Sequence, residues 1–296
     1  MKKQKSRILV LFLAVLLVSV SACKNPFLKK MLVEEEKGNT VPEKPQAPFV
    51  EGGASLILSP NKLTIGVTAV TSDGSAVAVE GCTETELTSG IYTVLHAKGT
   101  KVILKGSITK LSCGYNWLTA LNVQGLTALQ ELWCYYNQLT ELNAQGCTAL
   151  KELWCGSNQL TELKVQGCTA LQTLACYDNQ LTELNMQGLT ALQKLGCSDN
   201  QLTALNVQGL TALQGLACYS NQLNADAFKK LFDDLPQWAD SDDAKCCLYT
   251  EETGVSEGNH TDFTAPPDLA AAFNNAKNNK KWKMYKWNIS GPWVEI

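Results

Sequence analysis

The chain has 296 residues, 45% hydrophobic and 18% charged, with a formal net charge of -3. That is enough apolar material for a real core, and the mildly acidic balance argues against nucleic acid as a partner, since phosphate binding needs clustered Lys and Arg. The only histidines, His96 and His260, lie far apart in the sequence, which removes most histidine-based catalytic and metal chemistry from consideration.

Residues 1–7 carry Lys2, Lys3, Lys5 and Arg7 and no acid, and residues 8–20 form an uncharged apolar run. That run is too short to span a bilayer, which takes about 20 residues. A basic stub, a short apolar stretch and small residues together spell an export signal over residues 1–22. Val20-Ser21-Ala22-Cys23 resembles the bacterial lipobox, with Val where Leu is more usual. The resemblance implies cleavage before Cys23, lipidation of its thiol and a membrane anchor. The alternative is an ordinary cleaved signal that leaves Cys23 a free thiol. Acyl chains hold because each buried methylene contributes about 0.8 kcal/mol. Loss of the four cations takes the net charge from -3 to -7. Residues 23–53 then form a tether rich in Lys, Glu, Pro and Gly, where Pro42, Pro45 and Pro48 block regular structure.

Residues 54–107 read as a small β cap. Strand signals at 63–71 and 75–80 flank Asp73-Gly74, and those at 92–97 and 101–105 flank Lys98-Gly99. Each pair is expected to form a hairpin.

Residues 108–223 are six repeats with a period of 21. Cys113, Cys134, Cys155, Cys176, Cys197 and Cys218 share one register, and Asn116, Asn137, Asn158, Asn179, Asn200 and Asn221 share another. The skeleton is L-x-x-L-x-C-x-x-N-x-L, then T-x-L, then a Gly turn. This skeleton resembles the leucine-rich repeat, with Cys where Leu is commoner. The resemblance implies a mainly β repeat solenoid, a right-handed parallel β/β coil with a β N-terminal cap and an α/β C-terminal cap. One unit cannot bury its Leu residues, whereas stacked units bury them in a continuous column. The L-x-C segment is a short strand, paired in parallel about 4.8 Å from the next, with Leu and Cys inward and the residue between them outward. The Asn amides are expected to form a buried ladder. The T-x-L stretch is expected to make a second, outer strand.

Residues 224–296 form the second cap. Asn224 can cap a helix over residues 225–235, with Phe228, Leu231, Phe232 and Leu235 on one face. A strand over 246–250, a helix over 268–277 and a strand over 282–287 follow. This alternation would extend the same sheet.

Twelve cysteines in an exported chain invite a disulfide reading. In-register side chains on parallel strands sit about 4.8 Å apart, too far for an unstrained bridge, so structural thiols are expected. No C-x-x-C pair marks a metal or redox site, and no P-loop, G-x-S-x-G or H-E-x-x-H is present. Neither catalysis, metal nor cofactor is expected.

The outward row of the strands runs Ser112, Trp133, Trp154, Ala175, Gly196, Ala217. The row after the Cys runs Gly114, Tyr135, Gly156, Tyr177, Ser198, Tyr219, and the next runs Tyr115, Tyr136, Ser157, Asp178, Asp199, Ser220. Glu131 and Glu152 flank the Trp pair, and Asp178 and Asp199 lie on the other side. Trp and Tyr offer large contact area with a polar handle, so this aromatic stripe is the candidate ligand face. The alternative is that the aromatics only cover neighbouring strands.

The whole pattern resembles the leucine-rich-repeat surface lipoproteins of spirochaetes and of oral or gut Gram-negative anaerobes, and more distantly the internalins. The resemblance implies a monomeric, lipid-anchored envelope protein, exposed at the outer-membrane surface, that binds host or neighbouring-cell proteins. Two alternatives remain: a glycan-binding module, and a structural envelope protein without a specific ligand.

Overall fold

The structure is a computed structural model and describes residues 46–251, 257–288 and 293–296. The export signal, Cys23 and most of the tether lie outside the described residues. Eighteen strands, two α-helices and one 3-10 turn (Asp240–Asp242) are described. The first cap holds β1 (Gly53–Leu58), β2 (Thr64–Thr71), β3 (Val77–Glu80), β4 (Glu86–Leu87), β5 (Thr93–His96) and β6 (Lys101–Lys105). The first unit supplies β7 (Ile108–Ser112) and β8 (Leu118–Asn122), the second β9 (Glu131–Trp133) and β10 (Glu141–Asn143), and the third β11 (Glu152–Trp154) and β12 (Glu162–Lys164). The last three units give one strand each: β13 (Thr173–Ala175), β14 (Lys194–Gly196) and β15 (Gly215–Ala217). The second cap holds α1 (Ala225–Asp234), β16 (Lys245–Thr250), α2 (Pro267–Asn278), β17 (Lys283–Trp287) and β18 (Val294–Glu295).

Two sheets enclose one hydrophobic core, and the whole is a leucine-rich, mainly β solenoid. The inner sheet runs β18-β17-β16-β15-β14-β13-β11-β9-β7-β2-β5, and the outer runs β12-β10-β8-β1-β6-β3-β4. The repeat strands pair in parallel and in register, so Trp133 lies opposite Ser112 and Trp154, and Ala175 opposite Trp154 and Gly196. Leu111, Leu132, Leu153, Leu174, Leu195 and Leu216 are buried behind them, as is every Cys of the six-membered row.

The Asn ladder holds the units together. Asn137 donates from Nδ2 to the carbonyls of Cys113 (3.0 Å) and Cys134 (2.9 Å), and its Oδ1 accepts from the backbone N–H of Asn116 (3.1 Å) and Leu118 (2.9 Å). One amide thus satisfies buried groups of two units, which is why the position repeats without change. The caps continue the ladder. Asn116 exchanges hydrogen bonds with Gly66 in the first cap, and Asn259 in the second donates to Cys218 and Leu248 while accepting from Leu223.

The two hairpins expected in the first cap do not form. β2 pairs with β5 and β7, whereas β3 pairs with β4 and β6. The Asp73-Gly74 and Lys98-Gly99 turns therefore cross between the two sheets. Turn chemistry specifies a reversal, and it does not specify which strand receives the chain; here the solenoid's own edges do, since β2 pairs with β7 and β1 with β8. Both sheets run from the cap into the repeats.

The outer strand forms in the first three units only. Ala144 N–H still bonds to Lys164 O at 2.9 Å, but β12 is the last strand of that ladder. The glycine turns show the same divergence. A Cβ on Gly146 would meet Gly125 at 3.5 Å and one on Gly167 would meet Gly146 at 3.8 Å, while Gly188 and Gly209 have nothing within 4 Å. The outer edges fan apart while the inner strands keep hydrogen-bonding distance, so the inner sheet lies on the concave side.

In the second cap, Asn224 accepts from Ala227 N–H and starts α1, and Phe228, Leu231 and Phe232 pack inward. β16 and β17 extend the inner sheet in parallel, close to the expected ranges. The eleven described cysteines are free and buried. Burial raises the Cys113 and Cys176 thiol pKa values to about 12. Cys147 and Cys168, which share a row with Leu126, Leu189 and Leu210, also donate from Sγ to the Val123 and Ala144 carbonyls, both at 3.2 Å.

Candidate binding face on the inner sheet

Trp133 and Trp154 project from β9 and β11 into the concavity and remain 36% and 38% exposed. They are the outward residues of strands whose flanking Leu and Cys are buried, so their direction follows from strand alternation. The residues after the Cys row add a second layer. Tyr135 lies against Gly114, where a Cβ would stand 3.2 Å from its ring, and Tyr177 lies over Gly156, where the ring is 2.6 Å from the same point. The Gly-Tyr-Gly-Tyr alternation thus superposes a two-unit period on the 21-residue repeat. Each large ring leans over the small residue of the unit before it.

The third layer sits on strained backbone. Tyr115 and Tyr136 adopt φ values of 59° and 51°, a left-handed conformation that Asn and Gly tolerate far better than Tyr. Asp178 and Asp199 fill the same position in later units with the same φ, as their type favours. The two tyrosines stack face to face with centroids 4.6 Å apart and planes 11° off parallel, and Tyr135 meets both edge-on at 5.4 and 6.0 Å. Six rings, those of Tyr115, Trp133, Tyr135, Tyr136, Trp154 and Tyr177, line one open recess of about 330 Å³. Burial, and then the nearby Tyr136 and Tyr115 hydroxyls and Asp178 carboxylate, raise the Tyr177 phenol above its usual pKa.

The remaining sequence candidates are placed differently. Glu152 accepts from the Trp154 indole N–H at 3.3 Å, at the margin of the recess. Glu131 forms an ion pair with Lys110 at 2.6 Å. Tyr219 does not line the recess: it stacks on Trp287 of β17, 5.1 Å away and 2° from parallel. Asp199 also lies apart from it, its carboxyl raised by desolvation against the opposing hydrogen bonds of Ser198 and Ser220.

Three aromatics that sequence reading did not nominate extend the face. Tyr92 of the first cap lies across Gly66 and, with Tyr115, Tyr135 and Lys62, lines a neighbouring recess of about 430 Å³. Trp117 is 51% exposed, with the Lys62 ammonium 5.7 Å from its ring centroid. Trp293 borders a third, open hollow of about 410 Å³, lined also by Ala175, Gly196, Ala217 and Trp154. The Gly/Tyr alternation and the run of small residues were visible in the repeat columns. Tyr92 and Trp293 are brought in by cap topology, which no local pattern encodes. Among the described residues no group of three His, Cys, Asp or Glu side chains is arranged to hold a metal ion.

Units, ladder and core together define a leucine-rich-repeat solenoid. No family model matches the sequence, and no curated protein matches it. Among solved structures the chain is similar to the leucine-rich-repeat domain of a Shigella effector, with 20% identity and a TM-score of 0.41 over 62% of this chain and 83% of that one. It is also similar to the functional domain of InlJ from Listeria monocytogenes, described as including a cysteine ladder, with 27% identity and a TM-score of 0.33 over 55% of this chain and 37% of that one.

Proposed function

We propose that this protein is an envelope-anchored interaction module that binds a protein partner through the aromatic concave face. Anchoring is assigned to the lipobox-like Cys23, and the tether of residues 24–53 would hold the solenoid away from the membrane. The binding face comprises Tyr115, Trp133, Tyr135, Tyr136, Trp154 and Tyr177. It acts by binding alone, as a monomer at the cell surface.

One observation carries this reading: six aromatic rings converge on a single open recess, two of them on backbone that disfavours tyrosine. Covering neighbouring strands does not require that arrangement, because Ser157, Asp178 and Ser220 serve the same turn in other units. Clustered Trp and Tyr are also the residue types that dominate protein interfaces.

The test is the Trp133→Ala, Trp154→Ala double variant, screened with the parent on matrix-protein and glycan arrays. Loss of protein capture at an unchanged melting temperature supports the reading. Unchanged capture removes the site, and capture confined to glycans replaces the partner class. Protease treatment of intact cells tests exposure; a protein that survives faces the periplasm, and adhesion falls.

A further inference from the structure

The recess has an electrostatic character that narrows what can enter it. Indole and phenol rings present negative faces, and a cation placed over them is attracted, more strongly where water is excluded. Two acids adjoin it. Glu152 accepts from the Trp154 indole N–H at 3.3 Å, and exposed Asp178 directly follows Tyr177 in the chain. Neither carboxylate forms an ion pair among the described residues, whereas Glu131 is already neutralised by Lys110.

The adjoining recess shows what such a surface does when the chain supplies its own cation. Lys62, which lines it, donates to the Tyr115 carbonyl at 2.8 Å and holds its ammonium 5.7 Å from the ring centroid of Trp117, which does not itself line the recess. No Lys or Arg of the described residues lines the six-ring recess. It is an aromatic cage with an acidic rim and no internal occupant.

We propose that this recess receives a cationic side chain, an arginine or lysine, presented by the partner protein. The inference rests on the reading of the aromatic face as a protein-binding surface and adds the chemistry of the group that anchors there. The guanidinium or ammonium would lie against the stacked Tyr115 and Tyr136 and the Trp154 indole. Asp178 and Glu152 would supply the counter-charge.

The test titrates the full chain with an acetyl-Gly-Arg-Gly amide and with its citrulline counterpart, which keeps the shape and loses the charge, following tryptophan fluorescence. The arginine peptide is expected to bind about tenfold more tightly than the citrulline peptide. That preference is expected to vanish in Tyr136→Ala and to weaken in Asp178→Asn, an exposed substitution that leaves every ring in place. Equal affinity for the two peptides, binding of neither, or a preference that persists in both variants overturns the inference. Aromatic-dependent capture on the protein array without an arginine preference would sink this proposal and leave the binding reading standing. Loss of aromatic dependence on the array would sink both.

Discussion

The inner sheet and the outer side of the solenoid are made from the same 21-residue units, yet only the inner ladder is continuous. Inside, every unit contributes a strand, held by an Asn amide that bridges two turns. Outside, the ladder stops at β12, and each Asn of the Asn122, Asn143, Asn185 and Asn206 row accepts from the backbone two residues on, shaping its own turn. The donations that leave the turn, Asn122 to the Ala47 carbonyl and Asn143 to Gln124 Oε1, reach only half-buried groups. The lesson is that a repeated residue type does not imply a repeated role. What matters is whether its partners lie in another unit and out of water.

The sharpest way to break this comparison is to remove one Asn from each side. Asn137→Ala strands the buried N–H groups of Asn116 and Leu118 and should cost about 3 kcal/mol in urea unfolding. Asn143→Ala frees a half-exposed turn that water can satisfy, and about 0.5 kcal/mol is expected. Equal losses would contradict the distinction.

The next effect is one of pH. Burial raises the Cys113 and Cys176 thiols from the unfolded value near 9 to about 12. The fold favours the neutral thiol, so this contribution is fully present below about pH 9 and is lost as pH rises towards 12. The urea midpoint should therefore fall steeply across that range, and Cys176→Ala should make the fall shallower. A midpoint flat to pH 11 would mean that the thiols are not sealed in the core.

The smallest effect on stability is expected where the largest effect on function lies. Trp133 and Trp154 are more than one-third exposed, and replacing both with Ala should change unfolding by no more than about 1 kcal/mol. A larger loss would favour the view that these rings simply cover their neighbours.

How much of this was legible in the sequence follows the same division. The core rows and the Asn ladder could be read because each unit repeats the same requirement, and six copies average out local noise. The helix beginning at Asn224 was equally clear, since its cap and apolar face are local. The cap hairpins misled because Asp73-Gly74 and Lys98-Gly99 specify a turn and leave the choice of sheet to distant edges. In the candidate site, strand alternation placed Trp133 and Trp154 correctly on the open side. It could not show that Tyr219 turns towards Trp287, that Lys110 neutralises Glu131, or that Tyr92 arrives from the first cap. Those facts depend on side-chain direction and on neighbours far away in the chain.

The most direct measurement replaces Tyr115 and Tyr136 together with Asn, the type best suited to their left-handed backbone, and reads melting temperature and partner capture on the same sample. If the tyrosines are kept for binding, relief of the backbone offsets the lost stacking, the melting temperature holds or rises, and capture disappears. A fall of many degrees with capture intact would make them structural and remove the aromatic face as the working surface.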